Sequence, residues 1–339
     1  MLVTLLVIAA MAPSHQLTPV ALTVTLGVLV IFRRIRPTGI ALYAAVIAAG
    51  WVSFATVPFL FGHLEGVASG FGRLNENVNS GVANRVSGSP EHVFVVRMRL
   101  VMAGAYVLLA GIGILMRLKY RRWDIVPILL AGAPVLLLAL QAYGGEGVLR
   151  AFFFSLPGLA LLGALAVFAR RDSSHWSTPC VCGGLSLLLF GGFLFARYGN
   201  ERMDYYTEDE IAAIAYLYAE APEGAVLVAG GPSVPWKAER YEELGERVIP
   251  ARMIRDGEAG AIASYMREVR ETQENEVYFV VTRATSAAVD LFYGLEPGAL
   301  DRLVARMEGS GEFRVVLSSA DATILALSEP LENALAAPD

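Results

Sequence analysis

Cysteine and histidine are scarce in this chain, and neither occurs after residue 197. The chain of 339 residues includes 2 cysteines and 4 histidines. Cys180 and Cys182 are separated by a single residue, which makes an intramolecular disulfide sterically unfavourable and excludes a secreted disulfide scaffold. The C-terminal part has no side chain for a zinc site of the usual type, and none for nucleophilic catalysis by a Ser-His or Cys-His pair. We predict neither a metal nor a cofactor.

Acidic residues are few in the first part of the chain, and basic residues are outnumbered in the second. Residues 1–197 carry 15 Lys plus Arg and 6 Asp plus Glu, a formal charge of +9, whereas residues 198–339 carry 12 and 26, a formal charge of −14. Hydrophobic residues make up 55% of the chain, which is more than two ordinary soluble domains contain. The acidic part would repel phosphate chains, and this excludes nucleic-acid binding.

These two compositions predict a polytopic α-helical membrane protein followed by a small soluble α/β domain. The predicted domains are a transmembrane helical bundle over residues 1–197, an extracytoplasmic α/β domain over 198–330 and a frayed tail over 331–339. Seven apolar segments are the predicted spans, and they cover residues 2–12, 18–32, 38–62, 93–116, 124–141, 151–169 and 178–196. The first segment is shorter than the ~20 residues that cross a bilayer, so we expect the chain to begin inside a longer helix.

Clusters of arginine and lysine predict the orientation of this bundle. They lie between spans two and three, four and five, and six and seven, and the positive-inside rule places these short loops in the cytoplasm. Alternation along the chain then puts the loop 63–92, the turn 142–150 and everything after Arg197 on the outer side. The sequence therefore predicts a multi-pass protein of the plasma membrane whose C-terminal domain is extracytoplasmic.

Helix and strand signals alternate in the C-terminal part. Thr207 and Glu210 have the spacing of a capping box, ahead of apolar residues at helical spacing. Strands are predicted over 225–229, 277–282, 313–318 and 323–327, with helices near 258–270 and 298–307. The last two strands are expected to form an antiparallel hairpin through residues 320–322. This alternation indicates a small α/β sandwich.

Four arginines lie at span ends on the predicted outer side, where the positive-inside bias disfavours them. A guanidinium group offers a rigid fork of donors that suits phosphate oxygens. One interpretation is a binding site for the phosphate or pyrophosphate of a carrier lipid; the other is that these side chains only reach toward lipid headgroups. The four residues are Arg97, Arg99, Arg150 and Arg197.

The turn before the sixth span carries further candidate residues. Glu146 precedes Arg150 by four residues, so on a helix the two side chains would form an ion pair on one face. The alternative interpretation makes Glu146 a catalytic base, or a polar contact, beside a phosphate held by arginine, with Tyr143 as a substrate-binding residue. His15 and Gln16 interrupt two apolar runs at the same predicted level and are substrate-binding candidates as well.

One glycine-rich loop in the C-terminal part, GGPS at 230–233, directly follows a predicted strand. It lacks both the G-x-G-x-x-G pattern and the lysine of a phosphate-binding P-loop, so a plain turn and a ligand loop both stay open. Trp236 follows shortly afterwards. An indole face packs well on the C–H face of a sugar, and Trp236 is therefore the substrate-binding candidate of this part.

Three stretches carry a resemblance to a known group of proteins. They are SHQLTP at 14–19, YGGEGVLRAFFFSLP at 143–157 and GNERMDYYTEDEIAAIAYLYAEAP at 199–222. In these stretches and in the spacing between them, the chain resembles actinobacterial multispanning envelope proteins related to the GT-C glycosyltransferases, which use polyprenyl-phosphate-linked sugars. GT-C enzymes carry a catalytic carboxylate in their first outer loop, and residues 13–17 contain neither Asp nor Glu. The resemblance implies either that the catalytic part precedes Met1 or that the chain is a pared-down relative.

The sequence favours an integral membrane protein of cell-envelope glycan assembly, either the C-terminal part of a GT-C-like glycosyltransferase or an accessory to one. Its expected partners are the lipid bilayer, a polyprenyl-phosphate carrier and a glycan acceptor. Whether the chain is an enzyme stays open. A noncatalytic membrane scaffold or sensor is one alternative, and a transporter or flippase for lipid-linked glycan is another, although the span centres carry almost none of the ionisable residues that proton-coupled transport requires.

Overall fold

The structure is a computed structural model, and it describes residues 1–15, 17–55, 85–121, 124–139, 146–168, 177–238 and 241–328. Its internal contacts divide the chain into two compact units. The first unit comprises Met1–Val86 and Arg97–Phe193, and the second comprises Ser87–Val96 and Leu194–Asp339. The second unit therefore includes a short segment from the N-terminal half in addition to the C-terminal part of the chain.

The described residues up to Tyr198 are mainly helical. Their helices are α1 (Leu2–Ser14), α2 (Thr18–Ile31), α3 (Gly39–Ala55), α4 (Pro90–Lys119), α5 (Ile125–Gly132), α6 (Gly147–Val167) and α7 (Ser177–Tyr198). A 3-10 helix, Ala133–Ala139, follows α5. Each predicted apolar segment thus contains a helix, which satisfies its backbone hydrogen bonds internally as a lipid environment requires.

Three of these helices are long and apolar enough to cross a membrane, which supports the prediction of a membrane protein. They are Pro90–Lys119, Gly147–Val167 and Pro179–Tyr198, with 30, 21 and 20 residues. The other apolar helices of the described residues are shorter, with 13–16 residues, and they are Leu2–Ser14, Thr18–Ile31, Gly39–Phe54 and Ile125–Ala139. At 1.5 Å per residue such helices reach about 20–24 Å, less than the ~30 Å of a hydrocarbon core. Helix length therefore supports three of the seven predicted spans.

Two glycines let helix α6 approach its neighbours in the first unit. A Cβ atom at Gly113 in α4 would collide with the backbone oxygen of Leu162 in α6. A Cβ atom at Gly158 in α6 would collide with the backbone of Ala131 in α5. Small residues at such contacts are typical of helices packed in lipid, where close backbone approach replaces the hydrophobic driving force. Helix α6 therefore packs directly against both α4 and α5.

The second unit is built on a five-stranded mixed sheet. Its strands are β1 (Val226–Ala229), β2 (Gly245–Val248), β3 (Val277–Thr282), β4 (Phe313–Ser318) and β5 (Ala322–Leu327), in the order β2-β1-β3-β5-β4. Strand β1 pairs in parallel with β2 and β3, whereas β5 pairs antiparallel with β3 and β4. Strands β1 and β3 are buried along their whole length, as expected for apolar strands covered on both faces.

Helices cover both faces of this sheet. They are α8 (Glu201–Asp204), α9 (Glu208–Glu220), α10 (Ala251–Asp256), α11 (Ala259–Gln273), α12 (Arg283–Phe292) and α13 (Ala299–Gly309). Alternate residues of β3 divide between two hydrophobic clusters. Phe279 packs in one cluster with Met266 of α11 and Leu303 of α13. Val280 packs in the other cluster with Ile214 of α9.

Most of the elements predicted for the C-terminal part are confirmed. All four predicted strands, their hairpin and the helices near 258–270 and 298–307 form, and the capping box of Thr207 and Glu210 is present. Strand β2 and helices α8, α10 and α12 are missing from the prediction. Strand β2 is a short, partly exposed edge strand, and α12 follows β3 with no intervening loop, so no separate apolar pattern indicates either element.

The carboxylate of Glu210 joins the N-termini of two helices. Its Oε2 accepts a hydrogen bond from the backbone of Thr207 at 2.7 Å, which completes the capping box of α9. Its Oε1 accepts a hydrogen bond at 2.7 Å from the backbone of Ala284 in the first turn of α12. Glu210 is 0% exposed, and the guanidinium of Arg283 lies 3.4 Å from Oε2. A buried charge requires such partners, and the positive ends of two helix dipoles add to them.

The segment before α4 is attached to the C-terminal end of α12. The backbone N–H of Ser89 donates to the carbonyl oxygen of Leu291 at 2.9 Å. The ring of His92 meets the ring of Phe292 edge-on at 4.8 Å, and its Nδ1 lies 3.0 Å from Nδ2 of Asn200. Both polar side chains are buried. The start of α4 and the residues after α7 are therefore held together at the C-terminal end of α12.

Replacing Glu210 tests the hydrogen bonds by which its carboxylate connects α9 to α12. We expect Glu210→Gln to lower the free energy of unfolding of the second unit by about 2 kcal/mol, because hydrogen bonds to a charged acceptor contribute about 1.5–3 kcal/mol. Denaturant unfolding of the full chain in detergent measures this change through the fluorescence of Trp236, in a background in which Trp51, Trp123 and Trp176 are replaced by Phe. Glu208→Gln is the matched control, since Glu208 lies in the same helical turn and is exposed. Equal unfolding midpoints for both variants would contradict the assignment.

Replacing Gly88 tests the attachment of α4 to α12. Gly88 has φ +106°, and a Cβ atom there would collide with the backbone oxygen of Leu291; Gly311 has φ +78° with nothing within 4 Å. We expect Gly311→Ala to cost about 1–2 kcal/mol for the left-handed backbone alone. Gly88→Ala should cost about 1–3 kcal/mol more because of the collision. Thermal unfolding of the two variants compares them, and similar losses would show that the segment around Gly88 is not fixed to α12.

Candidate functional site

Arg85, Glu146 and Arg150 form a cluster in the first unit, at the N-terminus of α6. Glu146 occupies the N-cap position of this helix. Nε and Nη2 of Arg150 both donate to Oε2 of Glu146, at 3.2 and 2.9 Å. Nη2 of Arg85 lies 3.9 Å from Oε1 of the same carboxylate. The structure thus brings together Glu146 and Arg150 as the predicted ion pair and adds Arg85, which no local spacing pointed to.

This cluster combines two guanidinium groups and one carboxylate at a helix N-terminus. Its three side chains are 39–42% exposed, so solvent screens the ion pairs and they contribute little to stability. The dipole of α6 adds partial positive charge at the same place. A phosphate oxygen that displaced the carboxylate of Glu146 would meet two guanidinium groups and the helix N-terminus. The geometry therefore suits anion binding.

The hydrogen bonds from Arg150 to Glu146 limit how Glu146 could act as the predicted catalytic base. A general base must lie within hydrogen-bond reach of the proton that it removes. Oε2 of Glu146 already accepts two hydrogen bonds from Arg150, so these atoms would have to separate before this oxygen could accept a proton from substrate. The ion-pair interpretation describes the geometry, and the catalytic role of Glu146 stays a prediction.

His15 has a structural role in the turn between α1 and α2. Its Nδ1 accepts hydrogen bonds from the backbone of Leu17 at 3.1 Å and of Thr18 at 3.3 Å, at the start of α2. The imidazole therefore takes the place of a capping side chain. Because Nδ1 is the acceptor, Nε2 carries the proton of the neutral ring and is the atom that could contact a substrate. Gln16 and Tyr143 lie outside the described residues.

The other predicted arginines divide between the two units. Arg97 and Arg99 belong to the first unit and are exposed on α4. Arg197 belongs to the second unit, where its guanidinium lies 5.1 Å from the ring centroid of Tyr198 and 4.0 Å from the carboxylate of Glu201. Arg150 lies in contact with another predicted site residue, Glu146.

Packing explains the glycines in the loop at 230–233. The backbone N–H of Gly230 donates to the carbonyl of Val280 at 2.9 Å. A Cβ atom at Gly230 would lie 2.7 Å from Cγ2 of Val281, and one at Gly231 would lie 2.5 Å from Cγ2 of Val289. The two glycines thus let the chain leave β1 close to β3 and α12. These contacts favour the plain turn over a phosphate-binding loop.

Trp236 lies in the second unit, partly buried against the cluster around β1. Its ring meets that of Tyr241 edge-on at 6.1 Å, and Nζ of Lys237 lies 5.6 Å from its ring centroid. Burial raises the pKa of Glu246, and the positive charge of Lys237 opposes that rise. The ammonium group of Lys237 thus faces the indole ring on which a sugar would stack. The sugar-binding role of Trp236 stays a prediction.

A polar cavity of about 280 Å³ opens at the carboxyl end of β3. Its walls come from the first turn of α12, from α13 and from the hairpin between β4 and β5. The polar side chains that line it bear hydroxyl or charged groups. They include Arg283, Ser286, Asp301, Ser319, Asp321 and Thr323. Local sequence patterns do not predict this site, because its residues meet only after α12 and the hairpin have folded.

Among the residues that the structure describes, no group of three or more His, Cys, Asp or Glu side chains could hold a metal ion. Comparison with known proteins assigns no family to the chain, since no protein-family model and no curated protein matches it.

Proposed function

We propose that this chain is an integral membrane protein of cell-envelope glycan assembly, and that it binds a lipid-linked sugar donor as the C-terminal part of, or an accessory to, a GT-C-like glycosyltransferase. The observation that carries this proposal is the pair of guanidinium groups around Glu146, at the N-terminus of a membrane-length helix. A polyprenyl phosphate keeps its chain in the bilayer and its phosphate at the surface. Arginine matches that phosphate in charge and in geometry.

Binding is better supported than catalysis within this proposal. A subunit that holds the carrier lipid needs only the guanidinium groups and the helix N-terminus. A transferase also needs a base for the acceptor hydroxyl, and Arg150 engages the carboxylate of Glu146. In the transferase form, Arg85 and Arg150 would stabilise the leaving phosphate, and a carboxylate elsewhere in the enzyme would act as base. The accessory form is therefore the one that we favour.

The proposal includes seven membrane segments and an extracytoplasmic C-terminal domain. The basic clusters between the apolar segments support this orientation through the positive-inside rule. The short helices also expose large apolar side chains: Leu6 in α1 is 60% exposed, Leu42 in α3 is 68% exposed and Phe54 in α3 is 87% exposed. Exposure of so much apolar surface to water is unfavourable. We therefore propose that these helices also lie in lipid.

Loss of a guanidinium group should weaken phosphate binding. We expect Arg150→Gln to reduce the affinity of the full chain in lipid nanodiscs for farnesyl phosphate by about tenfold, equivalent to about 1.4 kcal/mol. Glu146→Gln should increase that affinity, because it removes the carboxylate that competes for Arg150. Phosphorus NMR titration measures both affinities.

A matched control separates this site from general attraction of anions to the protein. Arg34 is exposed and lies in a predicted cytoplasmic loop, so Arg34→Gln removes the same charge elsewhere. Its affinity for farnesyl phosphate should equal that of the unaltered protein. If Arg34→Gln and Arg150→Gln weakened the affinity for farnesyl phosphate equally, the proposed phosphate site around Arg150 would be rejected.

Single cysteines test the proposed orientation. In a Cys180→Ser, Cys182→Ser background, Ser310→Cys should react with a membrane-impermeant maleimide in intact spheroplasts, because the second unit is proposed to face outward. Arg34→Cys should react only after lysis, since the positive-inside rule places its loop in the cytoplasm. Gel-shift detection of the labelled chain distinguishes the two outcomes, and the reverse pattern would overturn the proposed sidedness.

A further inference from the structure

We propose that the polar cavity at the carboxyl end of β3 binds one neutral glycosyl unit. This inference rests on the proposed function, which it deepens by assigning the glycan acceptor a site in the second unit. The cavity lies where α/β sheets commonly bind ligands, outside the carboxyl end of a parallel strand. Its volume of about 280 Å³ lies just below the range of about 300–1,000 Å³ for drug-sized ligands. That space suits one sugar ring.

The side chains that line the cavity complement the hydroxyl groups of a sugar. A sugar hydroxyl both donates and accepts a hydrogen bond, and the hydroxyl of Thr323 can do the same. The hydroxyls of Ser286 and Ser319 donate to Asp301 and to the carbonyl of Ala322, so they offer a sugar their remaining acceptor capacity. The carboxylates of Asp301 and Asp321 can accept from sugar hydroxyls in charge-assisted hydrogen bonds. All five side chains line the same cavity, so a ring entering it would find partners for several hydroxyl groups at once.

The positive group of the cavity is already engaged. Nη1 of Arg283 donates to the backbone oxygen of Arg202 at 2.8 Å, and Nη2 donates to the backbone oxygen of Tyr205. Nη2 also lies 3.4 Å from the carboxylate of Glu210. The guanidinium therefore serves the fold, and one arginine with two aspartates gives the lining a formal charge of +1 − 2 = −1.

The helix N-terminus beside the cavity offers few backbone donors for an anion. The N–H of Arg283 donates to the carbonyl of Asp321 at 2.8 Å, and the N–H of Ala284 donates to Glu210 at 2.7 Å. The N–H of Thr285 donates to Oγ1 of Thr282 at 3.2 Å. A phosphate or uronate would meet two carboxylates with these backbone donors already taken. The cavity should therefore reject anionic ligands.

Internal hydrogen bonds hold the walls of the cavity in place. Oγ of Ser286 donates to Oδ1 of Asp301 at 2.6 Å, which links α12 to α13. Oγ of Ser319 accepts from the backbone of Ala322 at 3.2 Å and closes the hairpin. A site whose groups are fixed before binding loses less conformational entropy when the ligand enters. The polar groups are thus arranged before a sugar arrives.

Saturation-transfer NMR on the full chain in nanodiscs tests this site with defined probes. The probes are methyl α-glucoside, methyl α-galactoside, methyl arabinofuranoside and methyl glucuronide. We expect binding of at least one neutral glycoside, and binding of the glucuronide at least about tenfold weaker. Asp321→Asn and Asp301→Asn should each weaken the affinity for the neutral glycoside by about tenfold, as expected for loss of a hydrogen bond to a charged acceptor.

Glu308→Gln is the matched control, because Glu308 is exposed on the same helix as Asp301 and does not line the cavity. This variant should bind like the unaltered protein, and unfolding curves should show that all three variants are folded. Absence of binding for every neutral glycoside would overturn the inference. Undiminished binding in both aspartate variants, or preference for the glucuronide, would also overturn it.

The same nanodisc preparation separates this inference from the proposed function. Farnesyl phosphate binding that depends on Arg150, together with no binding of glycosides, would reject the cavity and leave the proposed function in place. Glycoside binding that depends on Asp321, without any binding of farnesyl phosphate, would support the cavity and reject the role of the arginine cluster.

Discussion

The arrangement of the second unit depends on which groups accept hydrogen bonds from the backbone N–H groups in the first turn of α12. Each of its first three backbone N–H groups has an acceptor from a different element: the hairpin through Asp321, helix α9 through Glu210, and the end of β3 through Thr282. Orphan donors at a helix N-terminus must find such acceptors when they are buried. One helical turn thereby fixes three neighbouring elements around it. Glu210 is the member of this set that brings a charge into the interior, and it serves two helices at once.

Helix α12 links the polar cavity to the start of α4. Its first turn lines the cavity, and its last residues hold Ser89 and His92 through a backbone hydrogen bond and a ring contact. The helix has 10 residues, which correspond to about 15 Å. The cavity and the contacts of Ser89 and His92 thus lie at opposite ends of one short helix.

Local patterns predicted the elements well, and tertiary contacts explain what they missed. The apolar runs of β1 and β3 and the capping box of Thr207 are each visible within a few residues, and each is confirmed. Helix α12 is hidden because it begins directly after β3, and β2 because an edge strand lacks a fully apolar run. For the candidate site, the four-residue spacing predicted the contact of Glu146 with Arg150. Arg85 and the cavity depend on contacts between residues far apart in sequence, which no local pattern encodes.

Charge distinguishes the two candidate sites from each other. At the N-terminus of α6, two guanidinium groups surround one exposed carboxylate, and the helix dipole adds to their positive potential. In the cavity beside β3, the single guanidinium donates to backbone oxygens, and two carboxylates face the space that a ligand would fill. A lipid phosphate and a neutral sugar ring differ in these same properties. A phosphate that entered the cavity would meet repulsion from both aspartates, and a neutral sugar at α6 would have to displace a carboxylate without replacing its charge. Each site therefore disfavours the ligand proposed for the other.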